Sequence, residues 1–252
     1  MRPITAALLA LLSLLSPGCA APVAARQGAP DHVVGAATAP AATALAPFPP
    51  PGSEEGKADL AIVLWLQRTR TAADVARARA EVEVGLETFA EALGPGFDAV
   101  AHPRTRALLG EVGERTRRAV GEEKRRFRRP RPYDADPRVS PAVDRERSFS
   151  YPSGHAARGV VFARILAELA PARREALVEV GLRVGHDRVV GGVHYPSDVT
   201  AGQRLGDALA AALLAEPDVR RGVDAVRVAE WGGGTRPPPP ARPGDARGSP
   251  AP

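Results

Sequence analysis

The sequence predicts an all-α fold, a helical bundle, and three observations predict it. Aromatic residues make up only 4% of the 252 residues. Ala, Leu and Val must therefore fill the core, which suits close-packed helices better than a sheet built on aromatic and β-branched residues. Apolar residues also recur at three- and four-residue spacing through the middle of the chain, and no stretch alternates convincingly with a period of two.

The elements follow in order. Ala58 to Arg70 carries Leu60, Val63, Leu64 and Leu66 in helical register. Thr71 reads as the N-cap of a helix running to Leu93, where Gly94-Pro95 stops it. Thr105 to about Phe127 sets Leu108, Leu109, Val112 and Val120 on one side, with Arg115, Arg117 and Arg118 largely on others. Further helices are predicted over Ser153–Leu169, Arg173–Val190 and Ser197–Leu214, the last with Leu205, Leu209 and Leu213 at four-residue spacing. A seventh is expected over Asp218–Val228. No internal repeat interrupts the pattern.

The ends have a different composition. Residues 1–21 read as a secretory signal: Arg2, an apolar run from Ile4 to Leu15 too short to span a bilayer, then Leu15-Ser16-Pro17-Gly18-Cys19. That last segment is similar to a bacterial lipobox, which marks Cys19 for lipidation, although Ser16 replaces the usual apolar residue. Cleavage as an ordinary signal peptide is the alternative, and either route exports the protein to the periplasm or to a membrane anchor. Residues 22–53 are Ala- and Pro-rich and read as a disordered tether, and 232–252 as a disordered Pro/Gly-rich tail. The folded domain is then 54–231. With Cys19 the only cysteine, no internal disulfide is possible.

The net charge is +5, from 34 Lys and Arg against 29 Asp and Glu. This balance suits anionic partners without proving them. Lys57 and Lys124 are the only lysines. Lys124 opens the basic stretch that ends at Arg131-Pro132, where prolines end a helix and turn the chain. A helix-end Lys and an extended-segment Arg can converge on one anion, and the Arg fork donates two parallel hydrogen bonds to phosphate. The same stretch also reads as a solvated basic helix end, or as a patch that touches nucleic acid.

Two more clusters follow. Pro152-Ser153-Gly154-His155 precedes an apolar helical run. Ser153 and Gly154 there present backbone N–H groups as an anion cradle, with His155 beside it as a proton donor; a plain Ser N-cap with an incidental His is the other reading. In Arg188 to Asp198, Gly191-Gly192 breaks one helix and Pro196-Ser197 starts the next. Asp198 can then take the proton of one His194 ring nitrogen and leave the other as a nucleophile. Alternatively, Asp198 is a first-turn helix charge and His194 a loop residue. Taken together, K-x6-R-P, P-S-G-H and R-x5-H-x3-D supply three cations, two histidines and one carboxylate, the set that phosphoryl transfer through a phosphohistidine requires. No spacing suits a metal site. His186 fits no motif position and is expected to be structural; His32 and His102 are assigned nothing.

The three clusters resemble the signature of the type-2 phosphatidic-acid phosphatase superfamily, and most of all its bacterial class A non-specific acid phosphatases. Gln67 to Thr71, Ser150 to His155 and His194 to Val199 are similar to segments of that soluble branch. The resemblance covers about Glu54 to Leu214. It implies an all-α bundle of the acid phosphatase/vanadium haloperoxidase type. It also implies attack by His194, oriented by Asp198, with Lys124, Arg131, Ser153, Gly154 and Arg188 holding phosphate and His155 protonating the leaving group. No cofactor or metal is implied, because the cations supply the charge stabilisation. Small phosphomonoesters are the implied substrates, with lipid-linked phosphates at a membrane surface as the alternative. A vanadium haloperoxidase fits less well because the chain is short. A nucleic-acid-binding module leaves His155, His194 and Asp198 unexplained. One departure stands out: Asp187 takes the place of the usual Ser before Arg188. Facing the anion it would repel phosphate, so Asp187→Ser is expected to retain or raise activity.

Overall fold

The structure, a computed structural model, describes residues 45–232. The signal segment, Cys19 and the tail from residue 233 onward lie outside the described residues. Among the described residues every regular element is helical. Ser53 caps α1 (Glu54–Thr69), accepting from Gly56 N at 3.1 Å. The helix thus begins four residues before the expected Ala58. Thr71 caps α2 (Ala72–Ala80) in a reciprocal box with Asp74.

The long helix expected from Thr71 to Leu93 does not form. α2 stops at Ala80, and the chain leaves helical geometry from Glu81 to Gly85 before a 3₁₀ turn at Leu86–Phe89 and the short α3 (Ala90–Leu93). The segment Glu81-Val82-Glu83-Val84-Gly85 explains the break. Two valines stiff at χ1 and a glycine are weak helix formers, and burial of Glu81 and Val84 ties this turn to the core. Gly94, at φ 111°, closes α3 in a conformation only glycine adopts freely.

α4 (Pro103–Phe127) starts with Pro at its first turn and ends at Arg128, whose φ is 52°. A single turn, α5 (Pro132–Ala135), follows, then a long irregular segment to Pro152. α6 (Gly154–Leu169) is the centre of the bundle, buried along most of its length from Ala156 to Leu169. It packs on α4, α7 (Arg174–Val190) and α8 (Pro196–Ala215), while α9 (Pro217–Val226) covers one end. The α6–α7 crossing is close enough that a Cβ on Gly159 would lie 2.6 Å from the Gly181 carbonyl oxygen. Replacing Ile165 or Leu166, both fully buried, by Ala should cost about 2–5 kcal/mol.

Residues 45–53, read from sequence as the end of a tether, pack on the domain. Leu45 is buried, Phe48 sits 5.7 Å from the Tyr151 ring, and the Tyr151 hydroxyl donates to Ala46 O at 2.6 Å. The apolar pair Leu45 and Phe48 outweighs the surrounding prolines. No helix among the described residues is long and apolar enough to cross a membrane.

Candidate active site

The end of α7 and the start of α8 deliver His194 to a buried position between them. Gly192, at φ 76°, turns the chain between them, and a Cβ there would press on Pro141. His194 is fully buried. Its Nδ1 lies 3.3 Å from Asp198 Oδ2, and its Nε2 lies 3.0 Å from Arg131 Nη1. Arginine can only donate, so Nε2 is the acceptor and the ring proton sits on Nδ1, facing Asp198. Burial, reinforced by the charges of Arg131 and Lys124, holds the His194 imidazole well below its usual pKa and therefore neutral.

Asp198 sits in the first turn of α8 and accepts from Tyr195 N at 2.9 Å and from the Ser150 hydroxyl at 2.5 Å. Its other oxygen accepts from Arg129 Nη1 at 2.7 Å. Arg129 Nη2 donates to Asp59 at 2.9 Å, and the guanidinium lies 3.9 Å over the Tyr195 ring. Asp59 in turn accepts from Ser197 N at 3.1 Å and from the Ser197 hydroxyl. A buried chain Asp59–Arg129–Asp198–His194 results.

The cations line the opposite side. The left-handed Arg128 ends α4 and swings Arg131 inward, where all its donors are engaged. Nε bonds Ser148 O at 2.9 Å, Nη1 bonds Val193 O at 2.8 Å and His194, and Nη2 bonds Glu146 Oε2 at 2.6 Å and Ser148 Oγ at 3.0 Å. The buried Lys124 ammonium donates to Phe149 O and, at 3.3 Å, to Ser150 O. Burial and then the neighbouring Arg131 bring its pKa down to about 7. Arg188 reaches Ala78 O, and its Nε is buried without a partner among the described residues.

The Pro152–His155 cluster differs from expectation in two respects. Ser153 caps α6 through Ala156 N at 3.4 Å, but its own N–H donates to Asp198 O at 2.9 Å and so is not a free anion donor. Gly202 of α8 permits this approach, since a Cβ there would collide with Ser153 O. Gly154 opens the first turn of α6 at the rim of a cleft of about 400 Å³, which Lys124, Glu146 and His155 also line. His155 Nε2 lies 2.9 Å from Val82 O, a pairing in which the ring donates. Burial and Arg188 push His155 down to about 4. In this state the ring is neutral near pH 7, with Nδ1 turned toward Glu146 Oε1 at 3.8 Å.

Asp187 does not face the anion site. Its fully buried carboxylate holds Arg77 by two bonds, at 2.6 Å and 3.0 Å. Glu81 lies beside it; burial and Asp187 raise the Glu81 carboxyl to about 7. His186 is exposed on α7.

The structure thus brings Lys124, Arg131, His155, Arg188, His194 and Asp198 into one electrostatic neighbourhood, with Ser153 and Gly154 at its edge. Sequence reasoning missed Glu146, Arg129, Asp59 and Ser150. Ser150 and Arg129 stand within or beside the motifs. Glu146 lies in a loop without periodicity, and Asp59 is one carboxylate among many on α1.

The family model described as "PAP2 superfamily" matches residues 118–220. An acid phosphatase of Zymomonas mobilis subsp. mobilis is 34% identical over 146 residues, covering 56% of this chain and 55% of that protein. A non-specific acid phosphatase of Salmonella typhimurium is 40% identical over 78 residues, 31% of each chain. A lipid A 1-phosphatase of Rhizobium etli is 42% identical over 57 residues, 23% of this chain and 25% of the other. The chain therefore spans about half the length of the first relative and less than a third of the others.

Proposed function

This chain carries a PAP2 superfamily domain, and on that premise we propose that it is a metal-independent acid phosphatase. It hydrolyses phosphomonoesters through a phosphohistidine at His194. One observation carries the reading: a fully buried, neutral His194 whose Nδ1–H faces Asp198 and whose Nε2 lone pair faces Arg131. That arrangement is a nucleophile with a fixed tautomer beside a cation.

In the reaction His194 Nε2 bonds to phosphorus as the ester P–O bond breaks. Asp198 stabilises the imidazolium that forms. Arg131, Lys124 and Arg188 balance charge on the phosphoryl oxygens. His155, protonated once the phosphate's negative charge stands beside it, gives its proton to the departing alkoxide. A water then attacks phosphorus, its proton passes to His155, and the P–N bond breaks. Export, with lipidation at Cys19, belongs to the same proposal; labelling with a radioactive fatty acid in the parent but not in Cys19→Ala would support it.

A second reading is a phosphatase for lipid-linked phosphates. The cleft beside His155 favours it, since Val82 and Val120 give that wall apolar surface. Relative rates on phosphatidic acid and p-nitrophenyl phosphate separate the two.

The deciding experiment is hydrolysis of p-nitrophenyl phosphate at mildly acidic pH with EDTA present, comparing the full chain with His194→Ala. Activity that survives EDTA and falls by about a thousandfold or more in the variant is expected. A folded His194→Ala protein with undiminished activity sinks the proposal.

A further inference from the structure

We propose that Glu146 sets the affinity of the site for phosphate: its carboxylate holds a place on Arg131 that a phosphoryl oxygen can take, and phosphate binds as that side chain swings out. The inference rests on the phosphatase reading of the site and adds to it a built-in competitor for the substrate.

Donor accounting carries the argument. A guanidinium has five N–H groups, and Arg131 has five partners: Ser148 O, Val193 O, His194 Nε2, Ser148 Oγ and Glu146 Oε2. Nothing is left for a phosphate. Lys124 and Arg188 differ, since among the described residues Lys124 has a donor to spare and Arg188 Nε has no partner. For Arg131 to take part in binding, one acceptor must leave. Two are backbone carbonyls fixed by the fold, and His194 Nε2 releases its Nη1–H only as its own lone pair turns to phosphorus, so before attack the vacancy has to come from the Nη2 side.

On that side Ser148 Oγ and Glu146 Oε2 are the acceptors that can move, and Glu146 is the charged one. Its side chain is 35% exposed and borders the open cleft beside Lys124 and His155. Its main chain is pinned on both sides by the Tyr133 hydroxyl, which accepts from Glu146 N and donates to Glu146 O, each at 2.9 Å. A change of side-chain rotamer therefore vacates Arg131 without moving the loop. The remaining contacts of the carboxylate are loose, at 3.4 Å to Ser148 Oγ and 3.8 Å to His155 Nδ1. A carboxylate so placed is the site's own anion. It stabilises the buried guanidinium while the site is empty, weakens binding of phosphate, and speeds release of the inorganic phosphate product.

Titration calorimetry of the full chain with inorganic phosphate tests this, alongside steady-state kinetics on p-nitrophenyl phosphate. Glu146→Gln, which keeps the shape and removes the charge, should lower the Kd for phosphate about tenfold or more, the effect of removing one like charge at an anion site. KM should fall in parallel, with kcat within about threefold of the parent. Glu146→Asp, with a shorter reach, should fall between and serves if the Gln variant does not fold. Asp144→Asn, exposed on the same loop, should leave the Kd unchanged. An unchanged or weaker Kd in Glu146→Gln overturns the proposal and makes Glu146 a support for Arg131. Absence of phosphate binding by parent and variant alike overturns the phosphatase reading, and this inference with it. A fall in Asp144→Asn matching that in Glu146→Gln overturns the local assignment, because net charge alone would then explain it.

Discussion

The two sides of the candidate site are built by different means. Around His194 the polar groups are buried and partnered, whether they come from a helix, as Asp59 and Asp198 do, or from the chain beside one, as Arg129 and Ser150 do: Asp198 meets Ser150, Tyr195 N and Arg129, and Arg129 meets Asp59. Around His155 the groups come from the irregular segments at 81–85 and 136–152, stand partly open to the cleft, and keep loose contacts, such as Glu146 to His155 at 3.8 Å. The first side presents a nucleophile whose geometry cannot drift. The second must admit substrate, change its protonation and release product, and dense pairing would obstruct all three. Substitutions should therefore have unlike effects on the two sides: loss of the fold's stability on one, altered affinity and pH dependence on the other.

Arg129→Ala should have the largest effect. It strands Asp59 and Asp198 as buried carboxylates facing each other's charge, a loss of about 3–5 kcal/mol. For a domain of this size that is a fall in Tm of roughly 6–20 °C, read by circular dichroism. Activity should fall with it, because Asp198 loses the partner that fixes it on His194. An Arg129→Ala protein as stable as the parent would show that the buried chain is not what holds this side together.

Asp187→Ser comes next, and here the structure reverses the expectation from sequence. The carboxylate does not repel phosphate; it anchors Arg77 across two helices. Serine cannot replace a bidentate partner, so a loss of about 1–3 kcal/mol is expected, with activity falling rather than rising as Arg188 loses a nearby carboxylate that favours its charge. Chemical denaturation and kcat/KM of the same preparation check both halves of that statement.

How much of this was legible in the sequence follows the same division. Helix periodicity and the three motifs located Lys124, Arg131, His155, Arg188, His194 and Asp198, because those residues sit at helix ends, where local chemistry is strongly coded. The break at Glu81 was not legible: Ala-rich flanks and the stop at Gly94 read as one helix. Only the burial of Glu81 and Val84 against distant elements decides otherwise. Glu146, Arg129 and Asp59 were missed for a related reason. Their roles come from partners 15 to 70 positions away, namely Arg131 for Glu146, Asp198 for Arg129 and Arg129 for Asp59, and no local pattern encodes such pairings. Asp187 was noticed but its direction was not, since helix register does not say which neighbour a carboxylate will meet.

The pH dependence sharpens the contrast at intermediate size. Lys124 is lowered to about 7, so its ammonium form, the one that binds phosphate, prevails below that pH and is lost as pH rises through it. The Lys124 contribution to phosphate affinity should fade above about pH 7, so Lys124→Met should bind more weakly than the parent below that pH and converge with it above. The sign for stability is opposite. Between about 7 and 10.5 the unfolded chain holds a proton that the folded one does not, so this group's cost to the fold is relieved as pH rises. His155, lowered to about 4, should set a limb of kcat/KM at lower pH than the matching limb of kcat, because bound phosphate favours the charged ring. Coincident limbs in the two profiles would count against His155 as the proton donor.

Val82→Ala should have the smallest effect and isolates the open side. The side chain is 43% exposed, so stability should change by no more than about 0.5 kcal/mol. His155 bonds to the Val82 carbonyl, not to its side chain, so the substitution leaves that contact in place. The valine does line the cleft with Thr116 and Val120. If the leaving group lies along that wall, losing its methyl groups should raise KM for a phosphoester with a bulky apolar leaving group by about four- to fifteenfold, at about 0.8 kcal/mol for each of one or two buried carbons. KM for glycerol phosphate, and the Kd for inorganic phosphate, should stay the same. Equal KM changes for both substrates would place the leaving group away from this wall, and would remove the cleft as support for a lipid-linked substrate.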